Sequence, residues 1–160
     1  PNFINGIPAW TVVVAGVRGA ETECGDLHDP ANDETFVAVK GEGAKLNGAP
    51  LKLEDLRQIS EGTVGIGYSN RVNNKGIVRL DTALVDEGSK FYRNASEALY
   101  LAYVAWDCIA GQLIVAEAGG CVEVQNADDM IRDGGRVVVG TPAVFDRLLE
   151  LSKTAFGQTD

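Results

Sequence analysis

Asp107 is the residue of this 160-residue chain best placed to do chemistry. It directly follows Trp106 and opens an apolar stretch, Asp107 to Ala118, that reads as a helix. A helix N-terminus favours anions and its unpaired N–H groups need a cap. Two readings of the carboxylate stay open. It is an N-cap only, or it is a ligand for a hard cation, aimed by the helix end toward a site where phosphate oxygens and Mg²⁺ share coordination. Other chemistries find little support. His28 is the lone histidine and no Gly-x-Ser-x-Gly elbow is present, which argues against a nucleophilic triad. No glycine run ends in Gly-Lys-Ser/Thr and no Gly-x-Gly-x-x-Gly joins a strand to a helix, so the phosphate-loop fingerprints are missing. Cys24, Cys108 and Cys121 are widely spaced without a Cys-x-x-Cys pair, which argues against structural zinc.

The elements that must position Asp107 fall into two parts. Residues 1–60 read as the end of an antiparallel sheet layer. Trp10 to Ala15 is β-branched and apolar, and Gly16-Val17-Arg18-Gly19 reads as a turn. The stretch from Cys24 to His28 leads through the turn residues Asp29 to Asp33 into a strand from Thr35 to Val39. Two short extended pieces follow, Ala44 to Leu46 and Leu51 to Leu53, set off by Gly41-Glu42-Gly43 and Asn47-Gly48. Residues 61–160 change to an α/β rhythm. A strand from Val64 to Tyr68 precedes a helix over Asn74–Glu87, with Ile77, Leu80 and Leu84 at helical spacing and Gly88 as its stop. Phe91-Tyr92 is a brief strand and Ser96 to Ala105 a helix. The helix from Asp107 is stopped by Gly119-Gly120, and Val137 to Gly140 reads as a buried strand. Thr141 is expected to cap, and Pro142 to start, a last helix with Val144, Leu148, Leu149 and Leu151 inward. Trp106 is expected to pack the helix start, His28 to be a hairpin residue, and Asp128-Asp129 to lie in a solvated turn. Glu117 reads as a cap or ion-pair partner as readily as a functional group.

Composition narrows the classes. With 45% hydrophobic and 23% charged residues the chain has the make-up of one globular domain. Its 14 Lys and Arg against 23 Asp and Glu leave a formal charge of −9, with no basic footprint for a nucleic acid. The apolar run from Ala98 to Ala118 is broken by Asp107, Gln112 and Glu117, which argues against a membrane span. No signal segment opens the chain, so a cytoplasmic location with reduced thiols is expected.

Four motifs together carry a resemblance. Asn2-Phe3-Ile4-Asn5-Gly6-Ile7-Pro8, Gly25-Asp26-Leu27-His28-Asp29-Pro30, Gly41-Glu42-Gly43-Ala44-Lys45-Leu46-Asn47-Gly48, and Trp106-Asp107-Cys108-Ile109-Ala110-Gly111 with Glu117-Ala118-Gly119-Gly120 resemble the inositol monophosphatase family, in the family's order and nearly end to end. The resemblance implies an α/β fold, part of a layered αβαβα sandwich of the inositol monophosphatase and sugar phosphatase type. It implies Mg²⁺-dependent hydrolysis of a phosphate monoester, most simply myo-inositol monophosphate, by a lithium-sensitive homodimer. Fructose bisphosphate, histidinol phosphate or a 3′-phosphonucleotide are the alternative esters. The partner is then a small phosphate ester, with neither nucleic acid nor membrane.

By the same resemblance Asp107 corresponds to the family's C-terminal metal-binding aspartate, which also lies close to the substrate. Ser96 falls where the family has a Gly-Ser/Thr-Ala segment near the substrate, although Ala95 and Glu97 depart from that pattern. The family's remaining metal ligands belong to a Gly-Glu-x-x-x-Glu-type segment and an Asp-Pro-Ile/Leu-Asp-Gly-Thr motif, and the chain starts at the position after the latter. A strand and loop of the family are also absent between Ala105 and Trp106. No catalytic residue is therefore assigned within the 160 residues. These residues alone are expected to be inactive, and a longer parent protein to be a phosphatase. The reading from a different class is a catalytically dead dimerisation or regulatory homologue.

Overall fold

Runs of β-branched and aromatic residues separated by Gly, Asn and Asp build a meander. The computed structural model describes residues 2–53, 58–66, 74–92 and 107–157. In it β1 (Val12–Arg18), β2 (Glu21–Asp29), β3 (Glu34–Val39), β4 (Gly43–Leu46) and β5 (Ala49–Leu51) lie side by side in chain order, each antiparallel to the next. The turns are those their residues demand. Leu46 pairs with Ala49 across Asn47-Gly48, whose φ values of +49° and +80° make a two-residue hairpin loop. Asp29 Oδ1 accepts the N–H groups of Ala31 and Asn32 and so closes the β2–β3 turn.

One turn differs from the sequence expectation. β1 runs through Gly16-Val17-Arg18 with a bulge between Gly16 and Val17, and the reversal falls at Gly19-Ala20, where Gly19 has φ +58°. Gly16 serves close approach, since a Cβ there would sit 2.5 Å from the Cys24 Sγ.

The pairing register places small residues in a file across the sheet: Ala15 opposite Gly25, Gly25 opposite Ala38, and Ala38 opposite Ala44. Period-2 alternation puts all four on one face, together with Leu27, Phe36 and Leu51. Helix α2 (Ile109–Glu117) lies on this face, with Ile114 and Ala118 packed against Ala38 and Ala44. Its sequence, IAGQLIVAE, has no broad polar stripe, as suits a helix covered on two sides. The other side meets β8 (Cys121–Val122), β9 (Val139–Gly140) and the cluster of Cys108, Ile109, Met130 and Val137.

The remaining elements form a second body of packing. After a 3₁₀ turn (Ile59–Glu61), β6 (Thr63–Gly65) pairs parallel with β7 (Lys90–Tyr92), and α1 (Asn74–Asp86) lies between them in sequence. Ile77, Leu80 and Leu84 of α1 pack against Val144, Leu148, Leu151 and Ala155 of α4 (Pro142–Gly157), as the spacing predicts. Gly88, with φ +78°, ends α1.

Three local expectations are corrected. Asp128-Asp129 lie in the first turn of a short helix, α3 (Ala127–Asp133), because Asn126 Oδ1 accepts both of their N–H groups and carboxylates suit that end. Only Val139 and Gly140 of the Val137–Gly140 run form a strand, since the partner β8 is two residues long, while Val137 and Val138 are buried beside it. The Thr141 hydroxyl is buried without a hydrogen-bond partner; its carbonyl, not its side chain, receives the Val144 and Phe145 N–H groups. The helix expected over Ser96–Ala105 lies outside the described residues. Among the described residues no helix is long and apolar enough to cross a membrane.

Gly25 is where the helix and sheet come closest. A Cβ on Gly25 would lie 2.8 Å from the Ala110 carbonyl oxygen and 3.0 Å from its Cα, both backbone atoms that cannot swing aside. Gly25→Ala is therefore expected to lower stability by about 2 kcal/mol through overpacking, measured by urea unfolding. An unchanged midpoint would show that α2 can lift without penalty.

Candidate functional site

Helix α2 begins one residue later than the sequence suggests. Cys108 occupies the N-cap position without a side-chain capping bond, and Asp107 precedes it. Asp107 is thus not the N-cap. Among the described residues its carboxylate has no hydrogen-bond or ion-pair partner; although the residue is exposed, partial desolvation pushes its pKa above the ordinary carboxylate value.

Asp107 lines a cavity of roughly 490 Å³ between α2 and the sheet. The polar side chains around that cavity are Asp107 and Gln112 from α2 and its approach, Asp29, Asn32 and Glu34 from the β2–β3 hairpin, and Thr11 just before β1. The walls are largely apolar, with Leu27, Phe36 and Val137 among them, and no Lys or Arg of the described residues lines the space. The carboxylate is neither sealed in the interior nor remote from a cavity.

The donor chemistry fits a hard cation in kind, since the polar side chains with oxygen at the cavity are carboxylates, carboxamides and one hydroxyl. The set is partial. Among the described residues no three His, Cys, Asp or Glu side chains gather closely enough to hold a metal ion. Asp29 is already engaged, its oxygens taking N–H groups of Ala31 and Asn32 and the Asn32 side-chain amide, and the Asn32 bond leads in lowering its pKa. Asp107 therefore remains the candidate ligand.

Neighbouring groups are not alternative catalysts. Burial, reinforced by the charge of Asp107, pushes the Cys108 thiol up to about 12, so it stays protonated and unreactive. His28 contacts the Thr35 hydroxyl through Nδ1 at 2.9 Å, on the sheet face away from α2, in keeping with a hairpin role. Ser96 and Trp106 lie outside the described residues. Glu117 resolves differently from any single reading of the sequence: its two oxygens accept the N–H groups of Gly41 and Gly43, each at 2.8 Å. The cavity contributions of Thr11, Asp29, Asn32, Glu34 and Gln112 are not foreseen by the sequence reading. Their signal is weak, because Glu34 becomes a neighbour only through the Asp29–Glu34 register at the end of the hairpin.

Comparison with known proteins decides the family. The inositol monophosphatase family profile matches residues 1–154. The chain belongs to the inositol monophosphatase family. Nus factor SuhB of Haemophilus influenzae is 32% identical over 172 residues, covering 98% of this chain and 64% of the relative. Nus factor SuhB of Escherichia coli K12 is 31% identical, covering 92% and 61%. The chain thus spans somewhat under two thirds of these relatives. The 172-residue alignment exceeds the 160 residues of the chain, so the Haemophilus relative carries internal positions without a counterpart here. Among solved structures, Mycobacterium tuberculosis SuhB matches with a TM-score of 0.79 and 29% identity, over 98% of this chain and 69% of that one. The Bartonella henselae extragenic suppressor protein suhB matches with a TM-score of 0.83 at 24% identity, over 95% and 65%, which establishes the layered α/β fold.

The raised pKa of Asp107 has a measurable sign. The folded chain holds this proton more tightly than the unfolded chain, so stability is lost as pH rises from the ordinary carboxylate value through the raised one. Asp107→Asn has no charge to desolvate. It is expected to raise the melting temperature modestly at pH 7 without divalent cations, and to have no such effect below the ordinary carboxylate range. A lower melting temperature at pH 7 would mean that the carboxylate is structural.

Proposed function

We propose that this chain forms the C-terminal portion of the phosphatase domain of a Mg²⁺-dependent phosphomonoesterase, acting most simply on myo-inositol monophosphate. In this reading residues 1–60 end the antiparallel sheet layer and residues 61–160 form the C-terminal α/β layer. The observation that carries it is the Asp107 carboxylate, without a partner among the described residues and partly desolvated, at the cavity beside the start of α2. Family membership over residues 1–154 supports the same reading.

When bound, Mg²⁺ would offset phosphate charge and activate water for attack. Asp107 would hold the cation from the α2 side, with further ligands required beyond those the described residues offer. The N-terminal end of α2 favours an anion in the same place through its partial positive charge. The apolar walls exclude water and so strengthen every charge interaction there. Ser96 is assigned to the substrate side by family resemblance. A formal charge of −9 favours a small phosphate ester over a nucleic acid as ligand. A cytoplasmic, lithium-sensitive homodimer completes the proposal.

A second reading rests on the names of the relatives. Proteins called Nus factor SuhB cover most of this chain, and no three-residue acidic cluster occurs among the described residues, which together favour a regulatory homologue without catalysis. Phosphate release separates the two. The complete product of the gene is expected to hydrolyse one ester from a panel of inositol, fructose, histidinol and nucleotide phosphates only with Mg²⁺, and Asp107→Asn to reduce kcat/KM by about 10²–10³-fold. The 160 residues alone are expected to be inactive. No release from the complete product on any ester would favour the regulatory reading, and equal turnover by the 160 residues would refute the need for outside ligands.

A further inference from the structure

Glu117 is the last residue of α2, where the helix dipole disfavours a carboxylate, so helix preference does not account for it. Its environment does. Oε1 accepts the Gly41 N–H and Oε2 the Gly43 N–H, each at 2.8 Å, across more than seventy residues of chain. Gly41 has φ +79° and Gly43 φ +83°, conformations that L side chains rarely adopt, and the β3–β4 turn thereby presents both amides to one anion. These are charge-assisted bonds, stronger than neutral ones. Two motifs distant in sequence, Gly41-Glu42-Gly43 and Glu117-Ala118-Gly119-Gly120, are thus tied to each other.

The tie acts on α2 at a distance from Asp107. The helix is seated at Ala110 against the Gly25 backbone, which leaves no room to sink further. Ala110 and Glu117 are two helical turns apart, about 10 Å, and lie on one face. Asp107 lies on the other side of the Ala110 contact, three residues back and just outside the helix, roughly 4.5 Å away when the helical rise is extended to it. A helix pivoting at Ala110 therefore carries Asp107 by a little under half of any excursion at Glu117, in the opposite direction. The same end is also held by the Leu53 N–H at the Ala118 carbonyl and by Ile114 and Ala118 packing on Ala38 and Ala44, and Glu117 adds to these restraints a tie to the β3–β4 turn. An excursion of about 1–2 Å at Glu117 would move Asp107 by about 0.5–1 Å, beyond the tolerance of a metal ligand.

We infer that Glu117 is a positioning residue: by locking the end of α2 to the Gly41 and Gly43 amides it fixes the place of the Asp107 carboxylate, which it never touches. The inference rests on the reading of Asp107 as a cation ligand and deepens it.

The test uses the complete product of the gene and its variants Glu117→Gln, Glu117→Ala, Asp107→Asn and Leu84→Ala, the last in the α1–α4 core. Calorimetric titration with Mg²⁺ is read beside amide exchange at Gly41 and Gly43 and phosphate release as a function of Mg²⁺. Glu117→Ala is expected to weaken Mg²⁺ binding about tenfold, the size typical of residues that orient a ligand. Glu117→Gln, which keeps one acceptor, should fall between it and the parent. Exchange at Gly41 and Gly43 should quicken in both, and turnover should largely recover at saturating Mg²⁺. Leu84→Ala should lower the melting temperature without changing Mg²⁺ affinity. Unchanged Mg²⁺ affinity in Glu117→Ala, with faster exchange at the two glycines, overturns the inference while leaving Asp107 as ligand. An equal loss in Leu84→Ala overturns it as generic destabilisation. Parent-like Mg²⁺ affinity in Asp107→Asn removes the underlying reading and this inference with it.

Discussion

The site depends on how closely α2 can approach the sheet. Helix and sheet normally pack through side chains, yet at Gly25 the backbone of α2 itself is the contact. The file of Ala15, Gly25, Ala38 and Ala44 makes this possible, because four strands present small residues in register along one line. Ile114 and Ala118 fill the line further along. Every group of interest is referred to this contact: Asp107 precedes it by one turn, the cavity lies alongside it, and Glu117 closes the far end.

The second constraint is electrostatic. A carboxylate without a partner among the described residues, next to apolar walls in a protein of net charge −9, is an arrangement that folding alone does not favour. Groups that oppose stability in this way cluster at functional sites. Asp29 is the contrast, a carboxylate whose acceptors are taken up by its own turn and whose ionisation is favoured. The two acids line one cavity and have opposite environments, which separates the proposed ligand from a turn residue.

Much of the fold is legible in the sequence because local signals and tertiary structure agree. Asn47-Gly48 specifies a hairpin, the spacing of Ile77, Leu80 and Leu84 gives the buried stripe of α1, and Gly88 ends it. The failures come where one residue serves two masters. Gly16 reads as a turn but is small to admit Cys24, and Asp107 reads as a cap but lies just outside the helix it precedes. Helix α3 hides because its apolar content is low and its start depends on one Asn126 side chain. The family, and Asp107 as the residue to watch, were readable from motifs. The cavity was not, since it arises from pairing register and from a helix more than seventy residues away.

That separation also dictates an order of assembly. The meander closes through neighbouring hairpins, whose loops are short and entropically cheap. Helix α2 must close a loop of roughly 85 residues to reach Gly25, the dearest closure among the contacts described. By this measure the sheet is expected to close before α2 docks and brings Asp107 to the cavity. On the proposed reading of Asp107 as a cation ligand, metal binding then waits on completion of the sheet.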